Sequence, residues 1–194
     1  HKGDAIMDDG RKLDFREQLG KLSPKEKIFE ELDRASIQEN IYGFIPASDC
    51  TDTSLMVANL GVMLAERGKS VCIFDAKVFY PNIYKLVDCE ANPKGKGLMQ
   101  IIKSDKADVR DAVTVTRHKH LYIMSSSPND PMEDYFDIRE EEVERIISSL
   151  KDMFDIVLID IPNIPPLEFC YVSMKCCNMG FFVWSERIEC PQNT

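Results

Sequence analysis

The sequence predicts an α/β fold of three layers, a mostly parallel sheet with helices on both faces. Three observations predict it. Short apolar segments alternate with helical segments from Ile41 to Trp184. The helix expected over Ser54 to Arg67 is apolar on nearly every side, as a helix packed into a core must be. Polar, proline-bearing loops follow the strand candidates, and in parallel sheets the loops at the C-terminal strand ends carry the ligand site.

Residues 1–22 are mixed in charge and carry Gly3, Gly10 and Gly20, so they read as a weakly ordered lead-in with a short helix from Leu13 to Leu19. The folded domain is expected over 23–194. Ser23-Pro24 opens a helix, with Ser as N-cap and Pro at the first helical position. Ile28, Leu32 and Ala35 mark its apolar face, and it ends before Asn40.

The first strand is Ile41 to Ile45. A polar loop leads to the helix Ser54 to Arg67, and Gly68 is a natural C-terminal cap. Strand two is Ser70 to Asp75. Pro81 to Asn92 reads as a short helix and turn, Asn92 to Gly97 as a loop, Leu98 to Lys103 as a short helix, and Asp108 to Val113 as one more turn. Strand three is Leu121 to Met124, followed by the polar loop Ser125 to Pro131. The charged helix Arg139 to Met153 buries Val143, Ile146, Ile147 and Leu150. Strand four is Asp155 to Asp160, followed by the proline-rich loop Ile161 to Pro166, a helix near Leu167 to Met174, and strand five, Gly180 to Trp184. The residues to inspect for function are those at the strand ends: Pro46 to Ser54, Asp75 to Lys77, Ser125 to Asp130, and Asp160 to Pro162.

Composition narrows the function. The 194 residues are 44% apolar and 29% charged, an ordinary globular balance with enough chain for a substantial core. With 24 basic and 33 acidic residues the formal charge is −9, which argues against direct nucleic-acid binding and leaves protein partners open. The seven cysteines form no C-x-x-C pair, and Cys72 lies in an apolar run, so they read as reduced thiols of a cytosolic protein. Adjacent Cys176 and Cys177 are a weak candidate for a metal or redox site, and His118 and His120 for a metal. No apolar run is long enough to cross a bilayer.

The stretch Ile41 to Gly68 is where a nucleotide-binding α/β protein carries its phosphate loop. Glycines let backbone N–H groups turn inward around phosphates, and a lysine reaches their charge. Between Pro46 and Ser54 this chain has neither, and it has Asp49 and Asp52 instead.

In order and spacing, several segments resemble the P-loop ATPases with a deviant Walker A motif, and among them the bacterial tyrosine kinases of capsule and exopolysaccharide synthesis. Ser23-Pro24 matches the opening of that family. Ala58-Asn59-Leu60-Gly61 and Leu64-Ala65-Glu66-Arg67-Gly68-Lys69-Ser70-Val71 match the helix after its phosphate loop. Phe74-Asp75-Ala76-Lys77 through Pro81 matches I-D-A-D-x-x-x-P except at the second aspartate. Gly97 to Ile102, Leu121 to Pro131, and Phe154 through Asp160 to Pro162 match the later segments. Septum-site and plasmid-partition ATPases share much of this pattern.

Setting Ser54 on the motif's serine places Thr53 where the family has lysine, and Asp52 and Cys50 where it has glycines. The resemblance implies a degenerate phosphate loop over Ser48, Asp49, Cys50, Thr51, Asp52, Thr53 and Ser54. It also implies Mg²⁺ ligands Ser54, Asp75 and Asp160, with Asp75 and Asp160 as the catalytic carboxylates. Unit charges about 4 Å apart interact by about 4 kcal/mol at an effective dielectric of 20, so exchanging a lysine for aspartates weakens nucleotide binding by orders of magnitude. Mg-ATP or Mg-ADP is therefore expected to bind weakly or not at all. Lys77 replaces an aspartate of the family, so an internal pair with Asp49, Asp52 or Asp160 is expected; a solvated Lys77 is the bland alternative. A divalent cation held by Asp49, Asp52, Asp75 and Asp160 is a third.

On the opening helix, Lys27, Glu30 and Asp33 reverse the sign of the family's E-x-x-R-x-x-R, which argues against the family's ring assembly. Tyr42, Tyr80, Tyr84, Tyr122, Tyr135 and Tyr171 are scattered and match no C-terminal tyrosine cluster of that family, and the resemblance implies one more helix and strand after strand five, so either the protein is longer or those elements were lost. The expectation is a catalytically impaired, kinase-like binding or regulatory module. Its partner would be a protein, such as a membrane-embedded component of polysaccharide synthesis, met at the cytoplasmic face of the membrane. The alternatives are an active tyrosine autokinase or ATPase with an atypical loop, and a positioning scaffold for partition or pilus assembly.

Overall fold

The computed structural model describes residues 39–48, 51–89, 97–104, 106–127 and 130–184. The lead-in, the Ser23-Pro24 helix with Lys27, Glu30 and Asp33, and loop residues Asp49 and Cys50 lie outside them. The described elements run β1 (Ile41–Pro46), α1 (Ser54–Glu66), β2 (Val71–Asp75), α2 (Ile83–Leu86) and α3 (Leu98–Ile102). A 3-10 helix (Val109–Ala112) leads into β3 (Val113–Val115) and β4 (Leu121–Met124). A second 3-10 helix (Met132–Asp137) precedes α4 (Glu140–Met153), β5 (Ile156–Asp160), α5 (Leu167–Cys176) and β6 (Met179–Val183).

The strands lie in one sheet in the order β3-β4-β2-β5-β1-β6. Every pairing is parallel except that of β3 with β4. β1, β2, β4 and β5 are buried almost throughout, which is why they read as continuous apolar runs rather than alternating ones. Phe74, Val157, Ile159 and Ile161 pack with α3, α4 and α5 in one apolar layer. On the other side of the sheet α1 lies against β2, β4 and β5, with Gly61 against Ile73 and Leu121. The three predicted layers are present.

Local chemistry explains the helix ends. α1 buries Val57, Ala58, Leu60, Gly61, Leu64 and Ala65, more than one stripe, because it is wedged between the sheet and α2. The chain leaves it through Gly68 at φ +86°, a left-handed turn that costs glycine little. α4 begins with a capping box, in which Arg139 N–H donates to the Glu142 carboxylate at 2.8 Å. Its three first-turn glutamates suit the helix dipole. Val143, Ile146, Ile147 and Leu150 are its buried face, as the spacing predicts.

The architecture sets where a site can form. β1 stands between β5 and β6, and the β1–α1–β2 connection passes over β5. The C-terminal ends of β1, β5 and β2 therefore open into one crevice, the switch point at which such sheets bind ligands. Asp75 and Asp160 are direct register partners at that edge. Among the described residues no helix is long and apolar enough to cross a membrane.

Candidate functional site

The site is built from three strand ends. The loop after β1 delivers Thr53 and Ser54 at the start of α1, β5 ends in Asp160, and β2 ends in Asp75 with Lys77 two residues on. Thr53, Ser54, Asp75 and Asp160 are fully buried.

A buried carboxylate needs hydrogen bonds and a counter-charge, and Asp160 has both. Thr53 Oγ1 donates to Asp160 Oδ1 at 2.5 Å, and Ser54 Oγ donates to Oδ2. The Lys77 ammonium lies 3.0 Å from Asp160 Oδ1. Lys77 Nζ also donates to Thr53 Oγ1 at 2.8 Å and Ser54 Oγ at 2.9 Å. One ammonium, two hydroxyls and one carboxylate thus satisfy each other. Asp160 is one of the three partners the sequence offers Lys77. Asp52 is engaged elsewhere, where its Oδ1 accepts the Ser54 backbone N–H at 3.0 Å, at the start of α1.

Asp75 is held differently. Its Oδ1 accepts the Lys77 N–H at 3.2 Å, and its Oδ2 accepts the N–H groups of Asn82 and Ile83 at 2.9 and 3.1 Å. It ties the turn that carries Lys77 back to β2. Burial pushes its carboxyl up to about 7, and the Asp160 charge adds to the rise. The three backbone N–H groups oppose that rise.

Earlier in the loop, Ser48 and Thr51 bond each other. The Ser48 and Thr51 hydroxyls are 3.0 Å apart, and Thr51 N–H donates to the Ser48 carbonyl at 3.1 Å. Thr53 is the N-cap of α1, and its carbonyl accepts the first helical bond, from Val57, at 2.9 Å.

In this arrangement the side chains expected to hold Mg²⁺ are bonded within the chain itself. The Ser54 hydroxyl and the Asp160 carboxylate, two of the three expected metal ligands, are engaged with Lys77 and with each other, and Asp75 is engaged with backbone. Among the described residues no group of three or more His, Cys, Asp or Glu is placed to hold a metal. Cys170, Cys176 and Cys177 are free thiols, and burial raises each above its ordinary value, Cys177 to about 12, which makes them poor nucleophiles.

A second feature adjoins the cluster. A cleft of about 530 Å³ opens beyond β2 and β4, between residues 78–85 on one side and Ser126, Ser127, Asp130, Met132 and Tyr135 on the other. Ser126 Oγ donates to the Val78 carbonyl at 2.7 Å and joins its two sides. Asp130 Oδ2 accepts the Ser127 N–H and the Tyr135 hydroxyl, both at 2.7 Å. Position at a strand end pointed to Ser125 to Asp130; Tyr135 carried no signal of its own.

Comparison with known proteins places the fold. No family model matches the chain. An uncharacterized ATP-binding protein of Methanocaldococcus jannaschii is 27% identical over 112 residues, which cover 58% of this chain and 40% of that one. The septum site-determining protein MinD of Pyrococcus horikoshii, solved with Mg-ADP, superposes with a TM-score of 0.63 at 23% identity, over 75% of this chain and 57% of that one. The kinase domain of the Escherichia coli tyrosine kinase ETK gives 0.64 at 14% identity, over 81% and 60%. The chain thus spans less than two thirds of these relatives. It has the fold shared by MinD-type P-loop ATPases and bacterial tyrosine kinase domains.

Proposed function

We propose that this domain is a catalytically impaired, kinase-like P-loop module that works by binding a protein partner rather than by turning over nucleotide. The observation that carries this reading is the cluster of Lys77, Thr53, Ser54 and Asp160. Phosphoryl transfer needs a cation to neutralise charge on the β- and γ-oxygens and donors that surround them. Here the cation is covalently part of the chain and is already paired, and Thr53 occupies the position of the lysine. Opening the site means taking a partly exposed ammonium from a fully buried carboxylate, which opposes entry of any ligand.

The process follows from the resemblance to tyrosine kinases of capsule and exopolysaccharide synthesis. In this reading the domain sits at the cytoplasmic face of the membrane and regulates a membrane-embedded component of that machinery. The reversed charges at Lys27, Glu30 and Asp33 suit a different protein surface from the family's own ring contact.

The relative described as ATP-binding favours a second reading, in which Mg-nucleotide enters by displacing Lys77 from Asp160. Calorimetric titration with Mg-ATP and with Mg-ADP, paired with a phosphotransfer assay, separates the two. The impaired module shows no saturable heat at about millimolar nucleotide, a free energy of about −4 kcal/mol. Micromolar binding would establish the second reading, and phosphate transfer to tyrosine would make the domain an active kinase.

A further inference from the structure

Two charged side chains among the described residues line the cleft beside the closed site, Asp130 and Lys85, and they are not paired with each other. Asp130 is half-buried, and among the described residues no lysine, arginine or histidine pairs with it, whereas Asp134, four residues on, pairs with Lys103 at 2.6 Å. Asp130 is nevertheless held in a set position. Ser127 N–H and the buried Tyr135 hydroxyl both bond its Oδ2. Gly97 crowds its Oδ1, so closely that a Cβ at position 97 would fall 1.8 Å from that atom. A side chain there would displace the carboxylate.

Four aromatic side chains stand around this anion, and Asn82, Lys85 and Met132 share the lining. Phe79, Tyr80, Tyr84 and Tyr135 line the cleft, with the Phe79 and Tyr135 rings edge to face at 6.1 Å. Tyr80 stands at the mouth, 70% exposed. A fixed negative charge against aromatic faces attracts a cation with an apolar stem, through a charge-assisted hydrogen bond at one end and ring contacts along the rest. The protein gives one instance of this chemistry: the exposed Lys85 ammonium stands 5.5 Å from the centre of the Tyr84 ring. The volume of about 530 Å³ suits a small organic ligand or one long side chain.

We propose that this cleft binds an organic cation, an alkylguanidinium or alkylammonium group, with Asp130 as its counter-ion and Tyr80, Tyr84 and Phe79 around its stem. The group has two sources, a free amine-bearing metabolite or an arginine side chain on a protein. The site is separate from Lys77 and its partners, so it stands whether or not nucleotide binds there.

The test follows backbone amide shifts of the ¹⁵N-labelled full chain during titration with butylguanidinium, butylurea as the uncharged match, and the tripeptide acetyl-Gly-Arg-Gly-amide. Butylguanidinium is expected to move the amides of Phe79, Tyr80, Tyr84, Ser126, Ser127, Asp130 and Tyr135 saturably, and butylurea is not. Asp130→Asn, which keeps an acceptor for Tyr135 and Ser127, should weaken binding about tenfold. Tyr80→Ala, at an exposed position that leaves the core intact, should weaken it by a smaller factor. Binding of the free cation but not the tripeptide assigns a metabolite; binding of the tripeptide assigns a protein's arginine. Equal shifts with butylurea, unchanged affinity in both variants, or no saturation below about 10 mM butylguanidinium would each overturn the proposal.

Discussion

Asp75 and Asp160 are neighbours in register at one edge of the sheet, both fully buried, and they are satisfied by opposite means. Asp75 is bonded by backbone N–H groups alone, from Lys77, Asn82 and Ile83. Asp160 is bonded by side chains, two hydroxyls and an ammonium. Backbone donors come with the turn, so any sequence that makes the turn preserves the role of Asp75. Side-chain donors depend on residue identity, and there this chain departs from the pattern it resembles. One carboxylate holds the turn after β2, and the other gathers Lys77, Thr53 and Ser54 around itself.

The contrast is broken most severely at Lys77. Lys77→Met leaves Asp160 buried without its cation and is expected to cost about 3–5 kcal/mol, read as a lowered denaturation midpoint. A loss below about 1 kcal/mol would mean that the pair is not formed in solution.

Asp75 predicts a pH effect of defined sign. Its folded value is raised to about 7 from an ordinary value of 3.8, so the folded protein binds this proton more tightly than the unfolded chain does. The contribution is fully present below about pH 4 and is lost as pH rises through about 7. Asp75→Asn does not titrate, and it places an amide NH₂ against a backbone N–H, costing about 1–3 kcal/mol. The gap between wild type and variant should therefore narrow as pH rises from about 4 to about 8, measured by urea denaturation. A constant gap would place Asp75 outside the titrating set.

The smallest effect belongs to Thr53. Thr53→Val keeps the shape and removes one donor to Asp160 and one acceptor for Lys77, for a cost of about 1 kcal/mol. Comparing its melting temperature with that of wild type checks this, and a larger loss would make Thr53 rather than Lys77 the main partner of Asp160.

The fold was legible because its signals are local. Strand candidates at Ile41, Ser70, Leu121, Asp155 and Gly180 fall within one residue of β1, β2, β4, β5 and β6 at both ends. β3 escaped because Val113-Thr114-Val115 is three residues long and only partly buried, too short for a period to show. The 3-10 helix Met132–Asp137 escaped because Met-Glu-Asp-Tyr-Phe-Asp lacks the spacing of a longer helix. At the site, exchange of an aspartate for Lys77 and of lysine for Thr53 marked an altered charge pattern. Which aspartate Lys77 meets was not legible, since Asp160 lies more than eighty residues away and becomes a neighbour only through the β2–β5 register. Asp52 drew notice as loop charge, yet it serves the start of α1. The setting of Asp130 depends on segments brought together by tertiary structure, and only its place at a strand end hinted at it.

The claim that Lys77 and Asp160 close the site against each other is tested most directly by a double-mutant cycle on stability, with Lys77→Met, Asp160→Asn and the double variant. A closed site predicts that the double variant is more stable than the sum of the single losses implies, with a coupling above about 1 kcal/mol. Single losses that add to within about 0.5 kcal/mol would show two independent side chains and contradict the account.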